Sequence, residues 1–292
     1  MGAVAERVAV PMADPPPLRV RKRRWTSFIL PAFTGLMITY LASPVALMIL
    51  YGFNDLQGER QTARFTCCTV RWWREILSNP SLNSALKTSV WIALTAAFVA
   101  TILGALIGLA LGRYSFRGRG GFNFVIFLAI AVPEIVLGSS LLAMFIQISE
   151  SIPGSKDVLN LGYATIWLSH VGFAVAFVAI TVRARVQGLD DALESAAQDL
   201  YATPMQAFFK VTLPLITPGI VAGYMLAFVL SLDDFVITNF VGGAKNTFPT
   251  WVYGSAKLGV PPHVNVWGTV LFSTGILVAG LQVVRAGRKR AA

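Results

Sequence analysis

Six runs of apolar residues, each close to the ~20 residues that a helix needs to cross a bilayer, leave this chain little choice of architecture. They cover roughly residues 25–53, 84–112, 122–148, 161–182, 214–240 and 264–284. Of the 292 residues 55% are hydrophobic and 13% charged, and the mean hydropathy of +0.65 lies above that of soluble globular chains. The expected fold class is an all-α integral membrane protein with six transmembrane helices.

A net charge of +10 in a soluble domain would point to nucleic acid. Here the basic residues gather at the ends of the apolar runs, where they act as topology signals, and nucleic-acid binding is discarded. RVRKRRW, with Arg19, Arg21, Lys22, Arg23 and Arg24, precedes an apolar run too long for the core of a signal peptide, so an uncleaved signal-anchor is expected. With the N-terminus in the cytoplasm, the inside pieces are 1–24, 113–121, 183–213 and 285–292, and these hold 16 of the 24 Lys and Arg. Both termini are therefore expected to be cytoplasmic, although Arg60, Arg64, Arg71 and Arg74 make the first outer loop more basic than the rule favours.

Residues 1–24, with PMADPPP at 11–17, read as a disordered basic tail, and 25–292 as one membrane domain. The outer loop 54–83 contains RWWREILSNP, whose aromatic and basic content suits an interfacial helix or a docking surface for an external partner. Cys67 and Cys68 are neighbours in that loop; a bond between adjacent cysteines departs from ordinary disulfide geometry and metal-binding partners are lacking, so the pair is expected to be incidental. His170 and His263 stand far apart in sequence, and no chemical role is expected of them.

The longest inner segment, Arg183 to Ile220, carries helix punctuation twice. Asp191 with Glu194 three residues on makes a capping-box pattern that opens a short helix to about Leu200. Thr203 before Pro204 is a second N-cap, and Pro214 ends or kinks the helix beyond it. Leu193, Ala196, Ala197 and Leu200, then Met205, Phe208, Phe209 and Val211, fall at helical spacing. Two readings stand at this point: a loop lying on the bilayer interface, or a helix placed in the groove of a partner protein.

ESAAQDLYATPMQAFFKVTLPLITPGI resembles the "EAA" loop of permease subunits of bacterial ATP-binding-cassette (ABC) importers with the type I fold. Ala196-Ala197, Asp199-Leu200, Ala202-Thr203 and Val211-Thr212-Leu213-Pro214 fit that pattern. Ser195 stands where the family has Glu, with Glu194 one residue earlier, and Tyr201 stands where it has the Gly that turns between the two short helices. Because only Gly enters left-handed backbone without cost, Tyr201 is expected to turn another way. AVPEIVLGSSLL (131–142), LAFVLSLDDFVITNFVGG (226–243) and FPTWVYGSAKLGVPPHVNVWGTV (248–270) are most similar to permeases of spermidine/putrescine importers.

The resemblance implies the type I importer permease fold over about 84–284 and a coupling loop at 190–213. It implies an assembly with a homologous partner permease, two cytoplasmic ATPase subunits and an external polyamine-binding protein in the bacterial inner membrane. Coupling to the ATPase would fall to Glu194, Ser195, Ala196, Ala197, Asp199, Tyr201, Phe208, Leu213 and Pro214. ATP and Mg would be bound by the partner ATPases, with no cofactor in this chain. In agreement, no G-x-x-x-x-G-K-[ST] occurs and no set of catalytic side chains is recognisable, so the chain reads as a transport subunit and not an enzyme.

Three acidic residues, Glu134, Asp233 and Asp234, lie inside apolar runs, where a charge costs at least ~2.5 kcal/mol and faces a bundle interior or a watery path. No Lys or Arg but Lys245 lies within twelve residues of Asp233, so a cation from another subunit or a cationic substrate is the expected partner. Adjacent helical residues point about 100° apart, so Asp233 and Asp234 face different ways. In one reading these acids, with cation-π help from Tyr224 and Phe235, line a path for a di- or triamine. In the other, Asp233 caps a helix break and Asp234 bonds to backbone or to the partner permease. A permease for ferric ion, sulfate or a sugar, a cation channel and a membrane enzyme are the competing functions; three buried acids speak against an anion or sugar path.

Overall fold

The computed structural model describes residues 26–55, 64–152, 154–155, 159–190, 192–257 and 259–291. The basic tail, the signal-anchor's charged flank and Asp191 of the expected capping box lie outside the described residues.

Among the described residues all regular elements are helices: α1 (Thr26–Tyr51), α2 (Arg71–Arg74), α3 (Pro80–Arg113), α4 (Arg119–Ala131), α5 (Glu134–Ser151), α6 (Tyr163–Gln187), α7 (Ala192–Asp199), α8 (Pro204–Ala207), a π-helical turn (Phe208–Thr212), α9 (Leu213–Asp233), α10 (Val236–Val241), α11 (Phe248–Ala256) and α12 (Pro262–Ala291). Five helical stretches are long and apolar enough to cross a membrane, and α4 with α5 makes a sixth if that bent pair counts as one span.

The core is a three-helix bundle of α3, α6 and α9. Gly104, Gly108 and Gly112, four residues apart, form a small-residue face on α3 against Val178, Val182 and Val186 of α6. A Cβ on Gly108 would sit 2.6 Å from the Ala179 carbonyl oxygen and 3.0 Å from Val182 Cβ. Small residues at this spacing let two helices approach closely where no hydrophobic force between them exists in lipid. Gly108→Val is accordingly expected to force the helices apart and lower the stability of the purified protein by about 1–3 kcal/mol, read as a fall in its thermal midpoint. Ala97, Ala100, Ala174, Ile216 and Ala227 complete this core.

At the opposite end from residues 188–212, a second core of Ile92, Phe145, Ile166, Ile237 and Val241 joins α3, α5, α6 and α10. By contrast α1, with Phe28, Leu36 and Leu41 exposed, packs chiefly on α12. Its apolar surface is what a lipid-facing helix presents.

The third apolar run is broken in its middle. Val132 (φ −67°, ψ 129°) and Pro133 (φ −57°, ψ 133°) are both extended, α4 stops at Ala131, and α5 leaves at 106° to it. The cause is local: proline pushes its predecessor out of the helical region and cannot itself donate to the turn before. Pro214 sits in the first turn of α9, where a proline is tolerated, and does not end the helix. The irregularity lies ahead of it, where Leu213 N–H donates to Phe208 O across five residues. Such a π-turn makes room where the proline ring would meet a helical carbonyl.

The described part of the loop 54–83 is more folded than its sequence suggests. RWWREILSNP contributes only the single turn α2, with Trp72 buried, its Nε1–H donating to Asn54 O at 2.9 Å and its ring edge-on to His263 at 5.2 Å. Cys67 and Cys68 are joined as a vicinal disulfide with Cα atoms 3.5 Å apart, which corrects the expectation of an incidental pair. Cys67 takes a left-handed backbone (φ 63°), so adjacent thiols that an extended chain would hold on opposite sides meet on one.

Candidate translocation and coupling sites

The helix carrying SLDDF breaks between its two aspartates. Asp233 is the last residue of α9, Asp234 has extended backbone (φ −62°, ψ 120°), and α10 begins two residues later. Asp234 is 8% exposed. Its Oδ2 accepts from Thr238 N–H at 2.8 Å and from Thr238 Oγ1–H at 2.8 Å, and its Oδ1 from Ile237 N–H at 3.3 Å. A carboxylate that takes the unpaired N–H groups of a helix start satisfies donors that would otherwise be orphaned.

From α6, His170, 1% exposed, places Nε2 3.2 Å from Asp234 Oδ2 and 3.0 Å from Thr238 Oγ1, with Nδ1 2.6 Å from Ser231 Oγ. The partner of Asp234 is thus a histidine of its own chain, not a cation from outside, and His170 has a definite role where none was expected. The signal was available in the sequence as a polar ring within an apolar run, but its partner lies 64 positions away and no local spacing links the two.

Asp233, in contrast, is exposed, as is Glu134 in the first turn of α5, and the two carboxylates lie within electrostatic range of one another. Their approach comes from packing: Gly138 lets α5 sit directly on α10, since a Cβ there would be 2.7 Å from the Phe240 ring and 3.4 Å from Ile237 Cα. Two helix breaks, one at Val132-Pro133 and one at Asp234, thereby leave the two acids within electrostatic range of each other. Among the described residues neither acid is in an ion pair. The Phe235 ring lies 4.5 Å from that of Tyr253, tilted by 41°, and the Tyr253 ring also carries Lys257 Nζ at 5.5 Å. Tyr224 lies apart from this group; it packs against the three-helix core, nine residues or about 13 Å back along α9.

At the other end, residues 188–212 form the expected pair of short helices. Thr203 caps α8: its Oγ1 accepts from Gln206 N–H at 3.3 Å while Gln206 Oε1 accepts from Thr203 N–H at 3.1 Å. Glu194 reaches beyond its own helix. Its Oε2 sits 2.6 Å from Arg113 Nη1, at the end of α3, and accepts from Thr212 Oγ1–H at 2.8 Å, while Asp190 Oδ1 takes the Ala192 N–H at 2.9 Å. Arg113, Glu194 and Thr212 line a cleft of about 270 Å³ with Gln187 and Asp190, so one carboxylate ties the loop to two core helices. By sequence alone Arg113 reads only as a topology charge.

Leu213 packs on the core and Pro214 is exposed. On α7, Ser195, Ala196 and Asp199 face outward and Ala197 is half-buried. Leu200, Tyr201, Met205 and Phe209 are exposed, with the Phe208 ring edge-on to Phe209 at 5.2 Å. An apolar crest of this kind on a short helical hairpin suits a groove in another protein.

Tyr201 is 97% exposed and takes the left-handed conformation itself, at φ 62°. The expectation that it would turn another way is corrected: the hydrogen bonds closing α7, Tyr201 N–H to Gln198 O and Ala202 N–H to Ala197 O, demand that turn whatever the side chain. Left-handed backbone costs a non-glycine residue roughly 1–2 kcal/mol. Tyr201→Gly is therefore expected to hold or slightly raise the thermal midpoint, and Tyr201→Val, β-branched, to lower it.

Residues 104–281 match the family described as "Binding-protein-dependent transport system inner membrane component". The chain is 38% identical over 257 residues to the putrescine transport system permease protein PotI of Escherichia coli K12, covering 86% of this chain and 89% of that one. It is 33% identical over 245 residues to the spermidine/putrescine transport system permease protein PotC of Haemophilus influenzae, covering 84% and 91%. In fold it resembles a chain of a bacterial ABC transporter involved in import of the acidic polysaccharide alginate, with TM-score 0.62 at 16% identity over 92% of this chain and 98% of that one. A chain of the MetNI methionine ABC transporter gives TM-score 0.52 at 22% identity, over 71% and 98%.

Proposed function

The chain belongs to the family of binding-protein-dependent transport system inner membrane components, and from that premise we propose that it forms half of the translocation path of an ATP-driven polyamine importer. The observation that carries the substrate class is the pair Asp233 and Glu134, two exposed carboxylates brought together at two helix breaks with no cation of their own among the described residues. Putrescine and spermidine carry ammonium groups separated by methylene chains. Separate carboxylates receive the charges, and the Phe235–Tyr253 ring pair offers aromatic faces to the cation or its apolar spacer. The names of the relatives support the same solute class.

In this reading the other half of the path comes from a homologous permease, and a polyamine-binding protein delivers substrate from outside. Two ATPase subunits bind ATP and Mg and receive the crest formed by Leu200, Tyr201, Met205 and Phe209. The chain itself carries no hydrolytic chemistry, both termini are cytoplasmic, and the mechanical link is the loop 190–213. Its movement reaches the path because α9 begins at the loop and ends at Asp233.

The test is ATP-dependent uptake of radiolabelled putrescine and spermidine by the complete complex in proteoliposomes, with binding protein supplied. Saturable uptake of either, competed by the other and not by sulfate or sugars, is the expected result. Uptake of an anion or a sugar in place of the amines would overturn the assignment.

A further inference from the structure

We infer that His170 is a positioning residue for substrate selection: it holds Asp234 against α6 so that Asp233, and not Asp234, is presented to the path. The inference rests on the polyamine-path reading, but its geometry is independent of it. His170 bonds to both sides of the helix break, to Ser231 in the last turn of α9 and to Asp234 and Thr238 beyond it. One assignment of hydrogens satisfies every atom. Ser231 Oγ–H donates to Nδ1, Nε2–H is shared between Asp234 Oδ2 and Thr238 Oγ1, and Thr238 Oγ1–H donates to Asp234 Oδ2.

A second bond fixes the far end of the same element. Thr165, five residues before His170 on α6, donates from Oγ1 to Val241 O at 2.8 Å. The helix α10 is thus fastened to α6 near each of its ends, and Ile237 and Val241, both fully buried, fill the space between. With Asp234 drawn toward α6 by this network, Asp233, one residue earlier at the end of α9, stays exposed and within electrostatic range of Glu134. An aspartate pair that is ambiguous on a regular helix becomes two groups with separate tasks. The titratable and charged groups around the break are His170 from α6, Glu134 from α5 and the two aspartates, with Tyr253 and Lys257 reached through the Phe235 ring.

The experiment uses the assembled complex and reads orientation directly. A thiol placed by Asp233→Cys is reacted with a charged, membrane-impermeant methanethiosulfonate, alone and combined with His170→Leu or His170→Gln. His170→Leu is expected to slow labelling about fivefold, the population change that accompanies loss of one buried hydrogen bond. His170→Gln, which keeps a donor for Asp234, is expected to restore most of the rate. If the leucine variant does not assemble, Ser231→Ala with Thr238→Val, which strips the hydroxyl partners and keeps the imidazole, is expected to slow labelling likewise.

Transport supplies the second readout. With Asp233 present, His170→Leu and the combined Ser231→Ala, Thr238→Val variant are expected to raise KM for spermidine more than they lower the maximal rate, and His170→Gln to leave KM near the parent's. In an Asp233→Asn background they are expected to add no further rise. Unchanged labelling in both disrupted variants, or KM effects that add to those of Asp233→Asn, overturn the inference. Absence of amine uptake by the unaltered complex would instead overturn the substrate reading, and the labelling result would still decide the role of His170.

Discussion

Glu194→Ala is expected to cut ATP-dependent uptake by an order of magnitude or more while the complex goes on hydrolysing ATP. The side chain is the meeting point of three elements: it leaves α7, pairs with Arg113 at the end of α3 and accepts from Thr212 at the entrance to α9. Both partners of the ion pair are about one-fifth exposed, so the interaction is screened far less than a surface pair. Hydrogen bonds to charged groups are worth roughly 1.5–3 kcal/mol. At about 1.4 kcal/mol per factor of ten, losing such a tie lets the loop move with the ATPase without moving the core to a corresponding degree.

The bundle itself is built from the α3–α6–α9 packing and does not depend on this tie, so membrane insertion and assembly are expected to persist. The charge-swapped pair Arg113→Glu with Glu194→Arg is expected to recover part of the uptake, because the Thr212 hydroxyl can accept from a guanidinium as readily as it now donates to a carboxylate. The measurement is transport per ATP hydrolysed in proteoliposomes. Normal ratios in Glu194→Ala, or no recovery in the swap with both proteins assembled, would remove the loop tie from the mechanism.

The span count and the capping of α8 by Thr203 were legible in the sequence because each rests on local chemistry: length of apolar run, and a Thr-Pro pair at a helix start. At Pro133 the local chemistry marks only a place where a helix cannot run on, and the 106° angle is decided by what α5 packs on once it is free of α4. Asp234 and His170, and likewise Glu194 and Arg113, could not be paired from spacing, because each partner belongs to a different helix and only the tertiary packing sets their approach. Tyr201 shows the opposite error. The rule that left-handed backbone belongs to glycine is a cost of about a kilocalorie per mole, and the closing turn of a helix outweighs it.

Asp233 and Asp234 are expected to fail in different ways when each is made asparagine. Asp233→Asn removes a charge from an exposed position whose nearest acidic companion, Glu134, is also unpaired among the described residues. No packing is lost, so expression and thermal midpoint should stay near those of the parent. What is lost is one carboxylate–ammonium contact, worth roughly 1.5–3 kcal/mol in a partly desolvated site, or about a ten- to hundredfold rise in KM for spermidine. Glu134→Gln is expected to show the same pattern more weakly for putrescine than for the longer, triply charged amine, which has more ammonium groups to place. Asp234→Asn acts on the fold first. Its carboxylate now accepts from Thr238 N–H and Oγ1–H, from Ile237 N–H and from the imidazole of His170; an amide offers one oxygen where two were used, and turns donors toward donors. A buried polar group left short of partners costs roughly 1–3 kcal/mol, so the thermal midpoint should fall and uptake should fall with the amount of assembled complex, at a KM closer to the parent's than that of Asp233→Asn. If Asp233→Asn leaves KM for both amines unchanged while Asp234→Asn raises it in well-folded protein, the two carboxylates have been assigned to the wrong tasks and the buried one is the ligand.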